Sequence, residues 1–208
     1  LRRGDRRASK RAGAPFAVAL LLALATLSGP VGAAALGAAP TAHASLAPTP
    51  CAGEHAMPNG RNSVVLDRAA LCLMNEIRIA NRLPELHFNA KLARVAAGQA
   101  SDMVRGHYFS DQSLSGQSPL SRVLASGYAV HVSSIHLRTA QNIGYGTGPN
   151  ATPAGIVEAW MLSPPHRKII LTAAYHDAGV GVARSVPPGL SSGWLGGTYA
   201  VEFGTRRQ

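Results

Sequence analysis

The chain has 208 residues, a formal net charge of +10 and two cysteines. Six basic residues crowd the first eleven positions, whereas from residue 45 onward 14 basic and 9 acidic side chains are scattered, so no clustered basic stripe supports nucleic-acid binding. Two cysteines without a C-x-x-C pair exclude a thiolate zinc site.

Residues 1–44 read as a signal peptide. A basic start precedes the apolar run Phe16–Leu27, and small residues lead to Ala42-His43-Ala44, an A-x-A cleavage pattern. The run is twelve residues, short of the ~20 that a spanning helix needs, and Gly29-Pro30 break it. The expectation is a secreted, extracellular protein with no stable membrane anchor; an uncleaved anchor is the alternative. In an exported chain an even cysteine count suggests a disulfide, here Cys51–Cys72, against two free thiols in a reducing setting. Residues 45–62 form an irregular lead-in tied down at Cys51.

A first helix is predicted from Ser63 to Asn81, with Leu66, Ala70, Leu73, Ile77 and Ala80 on one face. A second runs from the N-cap Asn89 to Arg105, burying Leu92, Ala96, Ala100 and Met103, with Gly106 as its stop. Ser118-Pro119 opens a third helix that stops at Gly127. A strand followed by a turn is expected within His136–Gly146, and Thr152-Pro153 starts a fourth helix reaching Leu162. Ala178–Ser185 and Trp194–Phe203 read as strands joined by a hairpin loop. Helices first and an antiparallel sheet later indicate an α+β domain, residues 63–208. Trp160 and Trp194 are expected as core aromatics.

In "SPPHRKII", Ser163 is a natural N-cap and Pro164-Pro165 fill the first helical positions, where a missing N–H costs nothing. The Ser163 hydroxyl is then expected on the backbone N–H of His166, which is pinned in the first turn. A helix N-terminus disfavours the imidazolium, so the histidine is expected to be neutral. A histidine that merely closes a turn is the plainer alternative.

Five segments in order, "LCLMNEIRIANRLPEL" (71–86), "GHYFSDQSLSGQSPLSRVLASGY" (106–128), "AQNIGYG" (140–146), "VEAWMLSPPHRKIIL" (157–171) and "AGVGVA" (178–183), resemble the CAP superfamily (cysteine-rich secretory, antigen 5 and pathogenesis-related 1 proteins; SCP domain) in its bacterial secreted branch. The resemblance implies a three-layer α-β-α sandwich with a central antiparallel sheet. It also implies a cleft where two histidines and two acids meet, sometimes around a divalent metal.

His166 matches the second histidine of that set. The first histidine is replaced by Asp111 and the first glutamate by Gln141; for the other acid the nearest candidate is Glu158, equally readable as a solvated helix residue. Gln141 keeps the shape of glutamate but cannot act as a base or an anionic ligand. No tight cofactor is therefore expected, with a weak divalent cation on His166, Asp111 and Glu158 as the alternative. His107 reads as surface or packing, and His131 and His136 receive no role. The resemblance favours a non-enzymatic extracellular binding module for an apolar or lipid-like ligand, a peptide or a cell-envelope component. The rivals are a peptidase-like hydrolase, with His166 as base and Ser110 or Ser163 as nucleophile, and a structural envelope domain without cleft chemistry.

Overall fold

In the computed structural model, residues 50–129, 137–187, 189–190 and 195–205 are described. The signal segment, His131, His136 and Trp194 lie outside them.

Helix α1 (Ser63–Ala80) buries Leu66, Ala69, Ala70, Met74 and Arg78. This corrects the expected stripe: Leu73 and Ile77 lie half-buried along the core edge and Ala80 is exposed. The row at 66, 70, 74 and 78 is a helical face too, but it ends in a charge, and hydropathy alone reads that as the outside. Arg78 is 0 % exposed. Its Nε donates to Pro84 O at 2.9 Å, Nη1 to Ile170 O at 2.6 Å and Thr172 O at 3.1 Å, and Nη2 to Tyr175 O at 3.0 Å. Carbonyl dipoles in place of a carboxylate satisfy the buried cation, and two connections, α1–β1 and α5–β3, are pinned to α1.

Strand β1 (His87–Phe88) leads into helix α2 (Ala90–Arg105), where the Asn89 side chain accepts from the N–H groups of Lys91 and Leu92. The predicted stripe Leu92, Ala96, Ala100 and Met103 is buried, joined by Gln99. The stop is built differently from expectation. Gly106 keeps a right-handed φ of −83° and His107 takes the left-handed one, 57°. Gly106 is required for space, because a Cβ there would lie 2.9 Å from the Tyr108 ring. His107 itself is exposed.

Helix α3 (Pro119–Ala125), strand β2 (Arg138–Thr147), a single 3-10 turn at Gly148–Ala151, helix α4 (Pro153–Leu162), helix α5 (Pro164–Ile170) and strands β3 (Asp177–Arg184) and β4 (Gly196–Thr205) complete the chain. Ser118 and Thr152 cap α3 and α4 through their hydroxyls, each with proline in the first turn.

The sheet order is β1-β3-β4-β2. The three long strands are antiparallel, as expected, and the two-residue β1 adds a parallel pairing at the β3 edge, making the sheet mixed. Every residue of β4 is buried. On one face α2 presses onto β3, where Gly179 and Gly181 leave room: a Cβ would lie 1.9 Å from Ala93 N and 2.0 Å from Ala97 N. On the other face Val180, Tyr199, Val201 and Phe203 pack with Met74 of α1 and with Ile156 and Trp160 of α4. The result is an α+β fold of three layers, α-β-α. Trp160 is a core aromatic, its Nε1 donating to Ile143 O at 2.9 Å.

Candidate functional site

Gln141 on β2 stands opposite Glu202 on β4, and its Nε2 donates to Glu202 Oε1. Glu202 is 0 % exposed. Burial raises its pKa to about 8, against the lowering effects of the Gln141 hydrogen bond and of Arg122, while Asp111 adds to the rise. The carboxyl is therefore mainly protonated at neutral pH. Sequence reasoning missed it: only an acid between Val201 and Phe203 in an otherwise apolar strand could have drawn attention there. Asp111 is exposed, in the loop after α2. That loop is held by Gln99, which donates to Ser110 O at 2.8 Å, and by Arg122, which donates to Asp111 O at 2.7 Å. Beside it Phe109 and Tyr145 stack edge to face, ring centres 4.9 Å apart. Gln141 Oε1, Glu202 Oε2 and Gln99 Oε1 are buried without partners among the described residues.

His166 arrives from elsewhere. Pro164 and Pro165 start α5 as expected, but the Ser163 hydroxyl does not cap it. It shares a hydrogen bond with His166 Nδ1 at 2.8 Å. The ring, three residues on, competes for the hydroxyl that local capping logic assigns to the backbone. Asn142 Nδ2 donates to His166 O at 3.2 Å, tying this turn to β2. Successive strand residues face opposite sides. Gln141 shares its side with Ile143, which packs on α2, whereas Asn142 shares its side with Gly144, which faces Trp160. The amide–carboxyl pair and the α5 turn thus meet β2 from its two faces. Glu158 is exposed on α4 and lines a separate cavity of about 550 Å³ with Met57, Pro149 and Leu195.

His166, Asp111 and Glu158 do not form a group of ligand atoms among the described residues. Among the described residues, the one group of three ligand-type side chains with atoms within 4.8 Å of one another is Cys51, Cys72 and Glu76. Its two sulfurs are joined in a disulfide with a Cα separation of 5.8 Å. Glu202 holds a proton, and Gln141 offers a neutral amide.

Another hollow lies along α1. A groove of about 620 Å³ runs between α1, β1 and the start of α2, lined by Val64, Leu71, Ile79 and Phe88, with Asp67 and Glu85 among its polar groups. Val64, Ile79 and Phe88 are 60, 56 and 60 % exposed, and all three line this one groove. Burial raises the Asp67 carboxyl to about 7, and its Oδ1 is buried without a partner among the described residues. Sequence reading passed over this groove because Val64 and Ile79 fall off the stripe assigned to the core.

The description "Cysteine-rich secretory protein family" (CAP) matches residues 71–188, more than half of the chain. The chain belongs to the CAP family. Two relatives from Bacillus subtilis (strain 168) are the uncharacterized membrane protein YlbC, 36% identical over 120 residues, and the uncharacterized protein YkwD, 33% identical over 114 residues. These alignments take in 57% and 54% of this chain but 32% and 40% of the relatives, so this CAP chain spans well under half the length of either. Among solved structures, an extracellular SCP-domain protein from Bacillus anthracis str. Ames superposes with a TM-score of 0.54 at 23% identity, over 70% of this chain and 41% of that one. A cysteine-rich secretory protein from Staphylococcus aureus gives 0.50 at 20% identity, over 71% and 40%. These likenesses establish the CAP fold. Among the described residues no helix is long and apolar enough to cross a membrane.

Proposed function

We propose that this protein is exported through its N-terminal segment and acts outside the cell as a CAP binding module that holds a small apolar or lipid-like ligand in the α1–β1 groove. The observation that carries this reading is the groove itself: about 620 Å³ in which the exposed side chains of Val64, Ile79 and Phe88 share the wall with Asp67, Arg68, Asn75, Glu76 and Glu85, a lining that suits an apolar body with a polar head. Asp67 supports a ligand whose head donates a hydrogen bond, since its buried carboxyl oxygen lacks a partner. The polar set inherited from the family contributes little: Glu202 is enclosed and Gln141 is turned to it.

The test is native mass spectrometry of the purified protein for retained lipid, followed by titration with a fluorescent long-chain alcohol and the matching carboxylate. The alcohol is expected to bind more tightly than the carboxylate at pH 8, where Asp67 is ionised. Binding of neither probe, with no retained lipid, overturns the reading.

A second reading, a hydrolase with His166 as base, is favoured by one observation, the 2.8 Å contact between Ser163 Oγ and His166 Nδ1. Among the described residues no carboxylate bonds the imidazole, so a third member to orient it is missing. Turnover of a peptide library that His166→Ala abolishes would establish this reading in place of the first.

A further inference from the structure

A second cavity, of about 330 Å³, opens where the start of α1, the last turn of α2 and the end of β3 meet. Arg105 of α2 and Arg184 of β3 both line it, with Asn62, Ser63 and Ser101 as polar neighbours and Leu66 and Val182 as apolar ones. No acidic side chain lines it. Among the described residues neither guanidinium has a carboxylate partner, the ion pair found there being His55 with Glu54. Arg184 is held close to the lead-in: a Cβ on Gly60 would lie 3.7 Å from its Cδ.

The α1 wall adds to this. The Asn62 side chain, which would ordinarily cap the helix, instead accepts from Asn59 N at 3.0 Å and donates to Met57 O at 3.0 Å. The 18-residue helix therefore starts without a side-chain cap and without an acid in its first turn. In its first turn Val65 N and Leu66 N both bond Asn62 O, which leaves the Ser63 and Val64 N–H groups at the positive end of the helix dipole. The α2 end, which would oppose an anion, carries Arg105 in its last turn, and two of its last four carbonyls, at Asp102 and Met103, accept from Gly106 N and Tyr108 N.

We infer that this cavity binds a tetrahedral oxyanion of the phosphate or sulfate class, gripped between Arg105 and Arg184 with the Ser63 end of α1 behind it. Two planar guanidiniums match such oxygens in forked pairs. A volume of about 330 Å³ suits a single phosphoryl or sulfuryl group with a short stem. This site is independent of the apolar groove, and neither proposal stands on the other.

The experiment is calorimetric titration of the purified protein with inorganic phosphate and with sulfate at constant ionic strength, chloride serving as the control. The expected result is saturable binding that Arg105→Gln with Arg184→Gln weakens by at least about tenfold. Ser63→Pro, which removes one N–H at a position where proline is tolerated, is expected to weaken it several-fold. A control pair on the exposed Arg94 and Arg167 is expected to change nothing. No binding by the native chain, equal binding by the Arg105/Arg184 variant, or equal loss in the control pair overturns the proposal. Two further arms identify the source of the oxyanion. Capture by vesicles containing phosphatidic acid, reversed by free phosphate, indicates a lipid headgroup; competition by glycerol phosphate without vesicle capture indicates a soluble ester.

Discussion

The β2 edge and the α1 groove carry opposite kinds of chemistry, and they differ in what is left free. At the β2 edge the polar groups are turned on one another: Gln141 on Glu202, Ser163 on His166, Asn142 on the α5 turn. At α1 polar groups line the groove as well, but the apolar Val64, Ile79 and Phe88 stand in the open beside them. Clusters of residues that can do chemistry do so only where they face a substrate, and here Gln141 and Glu202 are enclosed while His166 is half-buried and Asp111 and Glu158 are exposed on other elements.

Arg78 links both regions, since it hangs from α1 and holds the carbonyl that ends α5. Arg78→Met leaves four backbone carbonyls without their donor and is expected to destabilise by about 4 kcal/mol, read from urea unfolding monitored by circular dichroism. A loss under about 1 kcal/mol would mean the two regions are not mechanically joined. Next in size is the disulfide that seats the lead-in beside the groove, with a sequence separation of 21 residues. Replacing both cysteines by serine is expected to cost about 3 kcal/mol while leaving the β2 edge intact.

A smaller effect separates the regions by pH. The native Glu202 carboxyl titrates near 8 against an ordinary 4.5, so between those values the folded state binds more protons than the unfolded one. Stability is full below about 4.5 and falls as the pH rises toward 8. Asp67 acts in the same direction between 3.8 and about 7. Glu202→Gln, which cannot ionise and keeps a partner for Gln141, should flatten the upper part of the decline. Unchanged slopes in thermal unfolding from pH 5 to 9 would place Glu202 in water rather than in the sheet. The smallest expected effect is zinc: added in excess, it should leave the melting temperature of the native chain unmoved, and a clear rise would return the β2 edge to the role of a metal site.

Much of the fold was legible because its signals are local. The stripe on α2, the caps at Asn89, Ser118 and Thr152 and the proline starts of α3, α4 and α5 each depend on neighbours a few residues away. The same locality explains the misses. Arg78 looks like a surface residue until three carbonyls from the distant α5–β3 region join that of nearby Pro84 around it. Glu202 acquires its meaning only from the register that sets it opposite Gln141. Ser163 satisfies every rule for a helix cap, yet the ring that takes its hydroxyl lies in the same turn. The groove was hidden because Val64 and Ile79 belong to no periodic stripe, and an apolar residue outside a stripe reads as noise rather than as a wall.

The most direct test pits the two regions against each other with a single probe. A fluorescent long-chain alcohol is titrated into the native protein, into Ile79→Asp, and into Glu202→Gln combined with His166→Ala. The groove variant is expected to lose at least about tenfold in affinity while the β2-edge variant binds as the native chain does. Loss in the β2-edge variant with full binding by Ile79→Asp would contradict it.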